Sequence, residues 1–196
     1  MTPTLVLASS SPYRRLLLQR LQLPFVCASP DIDETPLANE QVQDMTLRLA
    51  NAKARALTAR YPDALIIGSD QACVLDGETG IIGKPGNFER ARQQLRACSG
   101  RSVNFHTALV LLNSHTGQAH STQDVFTVKF RQLSDAEIDR YLQLEQPYDC
   151  AGSFKAEGLG IALFDGMAGN DFHSLIGLPL ISLCQLLRQN GLDPLG

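Results

Sequence analysis

Residues 64–71 read Ala64-Leu65-Ile66-Ile67-Gly68-Ser69-Asp70-Gln71, and the fold turns on them. The apolar run is too short for a helix and shows no polar alternation. It reads as a strand, one of the short apolar runs that alternate with helical patterns along the chain. The pattern predicts a strand over 64–68 that runs into a polar turn. Asp70 then stands just past the strand's carboxyl end, where open α/β sheets gather ligand chemistry.

Upstream, Val42, Met45, Leu49, Ala52 and Ala56 recur at helical steps and predict a helix over 40–61, stopped by Pro62 and Asp63. Before it come a strand over 25–28, a helix over 12–22 with Leu16, Leu17 and Leu21 inward, and a strand over 5–8. Downstream, 72–75 and 81–82 form a hairpin around Asp76-Gly77. A helix over 88–98 follows, then strands over 103–112 and 125–130. Ser134 and Glu137 have capping-box spacing for a helix over 135–143. A strand over 159–164 and a helix over 178–189 complete the chain, with Pro179 in the helix's first turn and Gly191 beyond its end. Strands alternating with helices predict an α/β fold. No linker interrupts 1–196, which favours a single domain of two lobes around a central cleft.

The 196 residues are 44% hydrophobic and 19% charged, with a net charge of -3. That is enough apolar material for a real core, and the wrong sign for broad nucleic-acid binding. Cys27, Cys73, Cys98, Cys150 and Cys184 are odd in number and lack CxxC spacing. They read as buried free thiols of a reducing compartment, neither a disulfide framework nor a zinc site. The stretch from Met1 to Ala8 has no basic segment, and its apolar run is too short for a signal peptide or a membrane span. A cytoplasmic protein is expected.

Four stretches carry polar chemistry. Ser9-Ser10-Ser11-Pro12-Tyr13-Arg14-Arg15 joins a strand to a helix, with Ser11 as cap and Pro12 as first helical residue. Free N–H groups at a helix start, with two arginines beside them, suit phosphate. Asp31-Ile32-Asp33-Glu34 offers oxygen ligands of the kind that hard divalent cations take. Asp70 is suited to orienting a metal or accepting a proton from water. Gly83-Lys84-Pro85 is no P-loop, since Glu78 and Pro85 stand where glycine and serine or threonine are needed, but Lys84 can neutralise phosphate, as can Lys53. Gly158-Leu159-Gly160 lacks the third glycine of a dinucleotide fingerprint. His106, His115, His120 and His173 show no zinc-ligand spacing and read as structural or surface residues.

In that order, Ser9, Arg14 and Arg15, Asp33 and Glu34, Lys53, Ser69 and Asp70, and Gly83-Lys84-Pro85 resemble the Maf nucleotide pyrophosphatases. Tyr148-Asp149-Cys150-Ala151-Gly152-Ser153-Phe154 and Gly177-Leu178-Pro179 agree with the same family. The resemblance implies a curved mixed sheet flanked by helices, of the Maf/ITPase-like kind. It also implies hydrolysis of a nucleoside triphosphate between its α and β phosphates. Asp70 is then the proton acceptor and catalytic residue. Glu34 and Asp70 hold a divalent cation (Mg²⁺, Mn²⁺ or Co²⁺). Ser9, Arg14, Arg15, Lys53 and Lys84 clamp the phosphates. Family members are often homodimers, and no membrane or nucleic-acid partner is implied.

Tyr13, Gln71 and Glu157 stand at the three positions that separate the branches. The branch acting on dTTP and UTP usually has arginine, threonine and glutamine there. This chain is similar instead to the YceF-like branch, which acts on 7-methyl-GTP, although that branch often has tryptophan where Tyr13 stands. Chemistry points the same way. A methylated guanine carries positive charge that an aromatic face attracts, and its paired N–H donors suit the carboxylate of Glu157. The expected function is house-cleaning conversion of 7-methyl-GTP to 7-methyl-GMP and pyrophosphate. The alternatives are a dTTP/UTP pyrophosphatase of the same family and a non-catalytic nucleotide-binding regulator of cell division.

Overall fold

The computed structural model describes residues 3–196. Met1 and Thr2, with which the signal-peptide argument begins, lie outside the described residues. In chain order the elements are β1 (Thr4–Ala8), α1 (Pro12–Gln19), β2 (Phe25–Ala28), α2 (Val42–Arg55), β3 (Ala64–Leu75), β4 (Ile81–Ile82), α3 (Phe88–Cys98), β5 (Ser102–Asn113), β6 (Ala119–Phe130), α4 (Asp135–Glu145), β7 (Phe164–Ala168), α5 (Phe172–Ile176) and α6 (Leu180–Gln189). The strand order is β2-β1-β3-β5-β6-β7, and β4 pairs with β3. Strand β1 runs parallel to β2 and β3, whereas the β3–β4 and β6–β7 pairs are antiparallel, so the sheet is mixed. The fold is α/β, as the alternation predicts.

The chain divides into two compact units. The first holds residues up to Gln71, Thr107–Asp124 and Asp171–Gly196; the second holds Ala72–His106 and Val125–Asn170. In the first, Leu5 pairs with Leu65 and Val6 with Ile66. The two-residue period of a strand sends Leu5, Leu7, Leu65, Ile67, Leu109 and Leu111 to one face, against Leu17 and Leu18 of α1 and Leu183 and Leu187 of α6. Val6, Ala8, Ile66, Ala108 and Val110 go to the other face, against Ala50 and Ala54 of α2. Covering on both faces explains the unbroken apolar runs. Leu183 is fully buried in the α6 layer. Leu183→Ala is expected to destabilise the fold by about 2–5 kcal/mol, read by chemical denaturation.

The second unit is built around Phe105, Phe130, Phe154 and Phe164, whose rings meet edge to face at centroid separations of 4.9–5.6 Å. Helices α3 and α4 are joined by paired Arg92–Asp139 and Arg96–Asp135 forks. The Ser134–Glu137 capping box forms as its spacing predicts. Bonds to the Ser134 backbone and hydroxyl, with Arg131, depress the Glu137 carboxyl to about 2. A depressed folded pKa adds stability above the unfolded carboxylate range and loses it as pH falls through the folded value. The capping contribution should therefore fade as pH falls through the usual carboxylate range towards 2. Comparison of acid unfolding of the wild type with that of Glu137→Ala, which loses the box at every pH, checks this.

The structure differs from the sequence expectations in several places. Strand β3 does not stop at Gly68 but continues to Leu75, so Asp70 lies mid-strand. Its polar residues stay in the strand because Ser69 donates to Ala108 O and Gly177 O, and Gln71 to Thr107, Ser174 and Leu175. Residues Leu159–Leu163 wind as a 3-10 turn, not a strand; Leu159 and Ile161 are exposed, and pairing begins at Phe164. A short helix, α5, precedes Gly177, and α6 begins at Leu180 with Pro179 as its cap. Helices α1 and α2 are shorter than expected. Leu18, not Leu16, completes the inner face of α1. Of the five cysteines only Cys73 and Cys98 are buried, and Cys27 is exposed. Among the described residues no helix is long and apolar enough to cross a membrane.

Candidate functional site

Asp70 shares a face of β3 with Ile66 and Gly68, the face covered by α2. Gly68 decides how closely that helix comes. A Cβ there would lie 2.1 Å from the Ala50 carbonyl oxygen and 3.0 Å from the Ala54 Cβ. Helix backbone thus rests on strand backbone, and Lys53, between those two alanines, is carried down to Asp70. Lys53 is buried, with Nζ 2.6 Å from Asp70 Oδ1 and 3.1 Å from Glu34 Oε2.

Glu34 comes from the exposed acidic loop. That loop is tied back to α2 by Arg48, which forks onto Glu40 and donates to the Thr35 carbonyl. Asp33 accepts from Thr35 N at 2.8 Å and so shapes the turn beside Glu34.

Burial raises the pKa of Asp70 above the usual aspartate value, against the pull of Lys53 and Arg14. Asp70 Oδ1 is occupied by Lys53; Oδ2 has no hydrogen bond among the described residues. Arg14 lies one turn into α1, its backbone N–H donating to the Ser11 cap. Its Nε donates to the Gly177 carbonyl at 2.7 Å, and neither Nη group has a hydrogen bond among the described residues. Burial lowers the Arg14 pKa, while Asp70 and Glu34 oppose the shift. Ser9 is buried at the end of β1, where its Oγ accepts from Ser11 N at 3.1 Å. The result is a buried carboxylate with one open oxygen, a shared ammonium, a second carboxylate and a guanidinium fork.

The structure does not bring every expected residue into this group. Arg15 is exposed and lines a depression of about 540 Å³ with Gln19, Leu23, Phe25, Val26 and Cys27. Adjacent helix residues point about 100° apart, so one arginine of the pair faces elsewhere. Gln71 uses its amide N–H groups on Thr107 Oγ1 and the carbonyls of Ser174 and Leu175. It holds α5 to β3. Tyr13 is half-buried on α1. Lys84 and Glu157 are exposed residues of the second unit. The Lys84 loop is fixed there by Gly86 N to Tyr148 O and by Gln94 Nε2 to Gly83 O.

The donor set suits a hard divalent cation. Among the described residues no group of three or more His, Cys, Asp or Glu could hold a metal. Mg²⁺, however, is commonly held by one or two carboxylates, its shell completed by water and substrate phosphates. Glu34 and Asp70 are the two carboxylates that could form such a pair, since both reach the same ammonium nitrogen. His115 pairs with Asp63, and His173 with Asp171.

Sequence reasoning missed Thr107, Asp171 and Ser174, which fix α5 beneath this group. The signal was present. Asp171 stands as a cap before Phe172-His173-Ser174-Leu175-Ile176, and Gly177 follows as a left-handed end.

Among solved structures, the Ham1 protein of Staphylococcus aureus is similar at 14% identity and a TM-score of 0.44, over 65% of this chain and 71% of that one. So distant a likeness has no bearing on function. The family model described as Maf-like protein matches residues 4–190, nearly the whole chain, and this protein belongs to that family of nucleotide pyrophosphatases.

Proposed function

We propose that the protein hydrolyses 7-methyl-GTP between its α and β phosphates, giving 7-methyl-GMP and pyrophosphate in the clearance of modified nucleotides. The observation that carries the hydrolysis is Asp70: a buried carboxylate made more basic by desolvation, with Oδ1 pinned by Lys53 and Oδ2 open. Oδ2 accepts the proton of the attacking water. Lys53 and the free Nη groups of Arg14 meet phosphate charge as it develops, in a setting where fixed donors need no reorganisation. Ser9 adds a hydroxyl at the end of β1.

Glu34 and Asp70 would hold a divalent cation (Mg²⁺, Mn²⁺ or Co²⁺). When bound, it supplies charge neutralisation and polarises a phosphoryl oxygen. The enzyme works in the cytoplasm, as a homodimer.

The substrate assignment rests on Tyr13 and Glu157, with Gln71 acting through its grip on α5. A carboxylate accepts both neighbouring N–H donors of a guanine edge, and glutamine offers one oxygen. Glu157→Gln should lower kcat/KM for 7-methyl-GTP by about 10–100-fold, the effect of one hydrogen bond to a charged group, and change dTTP and UTP turnover little. Tyr13→Ala should weaken the methylated substrate more than GTP, because the cation–aromatic attraction needs the ring charge. A wild type that prefers dTTP or UTP sinks the substrate assignment and leaves the hydrolysis standing.

A further inference from the structure

We infer that Asp171 is a positioning residue for the phosphate-facing guanidinium of Arg14. The inference rests on the proposed pyrophosphatase activity. Asp171 is a buried carboxylate outside the Asp70 group, and both its oxygens are used. Oδ1 accepts from His173 N at 2.9 Å and from the His173 ring at Nδ1, 2.7 Å. Oδ2 accepts from Ile181 N at 2.8 Å. One side chain therefore grips the start of α5 and the first turn of α6, on either side of Gly177-Leu178-Pro179. The Asp171 carbonyl also takes the Ser174 hydroxyl at 2.7 Å. Arg20 Nη1 donates to His173 Nε2 at 3.0 Å, which leaves the Nδ1 proton for Asp171.

The bridge ends at the Gly177 carbonyl. Gly177 closes α5 at φ 116°, a conformation that favours glycine, and its N–H returns to the His173 and Ser174 carbonyls. The carbonyl oxygen receives Arg14 Nε at 2.7 Å and Ser69 Oγ at 3.0 Å. A guanidinium is planar, so fixing Nε fixes where both Nη groups point. Asp171 reaches no substrate; it aims Arg14 through the turn.

The test is a double-mutant cycle on kcat and KM for pyrophosphate release from 7-methyl-GTP, or from whichever triphosphate the wild type turns over best. Asp171→Ala should lower kcat/KM on the order of 100-fold, the scale of a misplacement of about 1 Å, mostly in kcat. In an Arg14→Ala background the same change should cost less than about 3-fold, because the aimed group is gone. Asp171→Asn keeps one acceptor for His173 N and should recover part of the loss. If Asp171→Ala does not fold, Asp171→Asn is carried through the same cycle, and its loss must vanish without Arg14. A loss that persists undiminished in the Arg14→Ala background, or no loss at all, overturns the inference while leaving the activity intact. A folded wild type that releases no pyrophosphate from any triphosphate overturns both.

Discussion

Asp70→Asn is expected to lower pyrophosphate release by about 100–10,000-fold, the range that a positioned general base contributes. Asparagine preserves shape and one acceptor but cannot take a proton from water. It also leaves the buried Lys53 ammonium, among the described residues, with only the exposed Glu34 carboxylate as charge partner. Removing one member of a buried ion pair costs about 3–5 kcal/mol, so the single variant should also melt earlier. Asp70→Asn/Lys53→Met removes the stranded charge and should regain most of the melting temperature; because Lys53 itself meets phosphate charge, the loss of turnover is read in Asp70→Asn alone, at a temperature where that variant is folded. Near-normal turnover in Asp70→Asn would remove Asp70 from the chemistry.

Gly68→Ala should be nearly as damaging from a position that touches no substrate. Its added methyl collides with the Ala50 carbonyl oxygen and with Ala54, and no flexible side-chain end is there to yield. Helix α2 must move off β3. Overpacking of this kind costs about 1–3 kcal/mol. The helix carries Lys53, whose 2.6 Å contact with Asp70 cannot survive the shift. A misplacement of about 1 Å near the chemistry lowers kcat/KM on the order of 100-fold. Gly80→Ala, where the new Cβ meets nothing within 4 Å, is the control and should change stability by less than about 0.5 kcal/mol. Turnover and thermal unfolding of both variants check the expectation. Full activity in Gly68→Ala would show that the close approach of α2 does not set Lys53.

What was legible in the sequence follows the range of the interactions involved. Helix α3 begins and ends where its pattern says, and α4 forms the capping box read from Ser134 and Glu137, because caps and periodicity act over a few residues. Strand β3 was cut short at Gly68 because Ser69, Asp70 and Gln71 are poor strand residues by themselves. They stay in the strand through partners from far along the chain, at Ala108, Lys53 and Ser174. Helix α5 was missed because five residues are too few for a periodic signal, although its cap and terminal glycine were both visible.

The site divides in the same way. Glu34, Lys53, Asp70 and Arg14 were singled out by resemblance and by residue chemistry, and the fold draws them together. Gly68 ends an apolar run in the sequence, yet its use as a contact surface for α2 is a tertiary fact that no local pattern encodes. Arg14 and Arg15 looked equivalent in a line of letters, but helical geometry separates them, and the Gly177 carbonyl takes only Arg14. Gln71 stands at one of the three positions that separate the branches; its amide holds α5, a role that depends on carbonyls about a hundred residues away.

The measurement that bears most directly on the central claim is pyrophosphate release by the purified protein from 7-methyl-GTP, GTP, dTTP and UTP, with and without Mn²⁺ or Mg²⁺. The account predicts metal-dependent release of pyrophosphate, with no orthophosphate, and fastest with 7-methyl-GTP. Folded protein that binds these triphosphates and releases no pyrophosphate from any of them would contradict it.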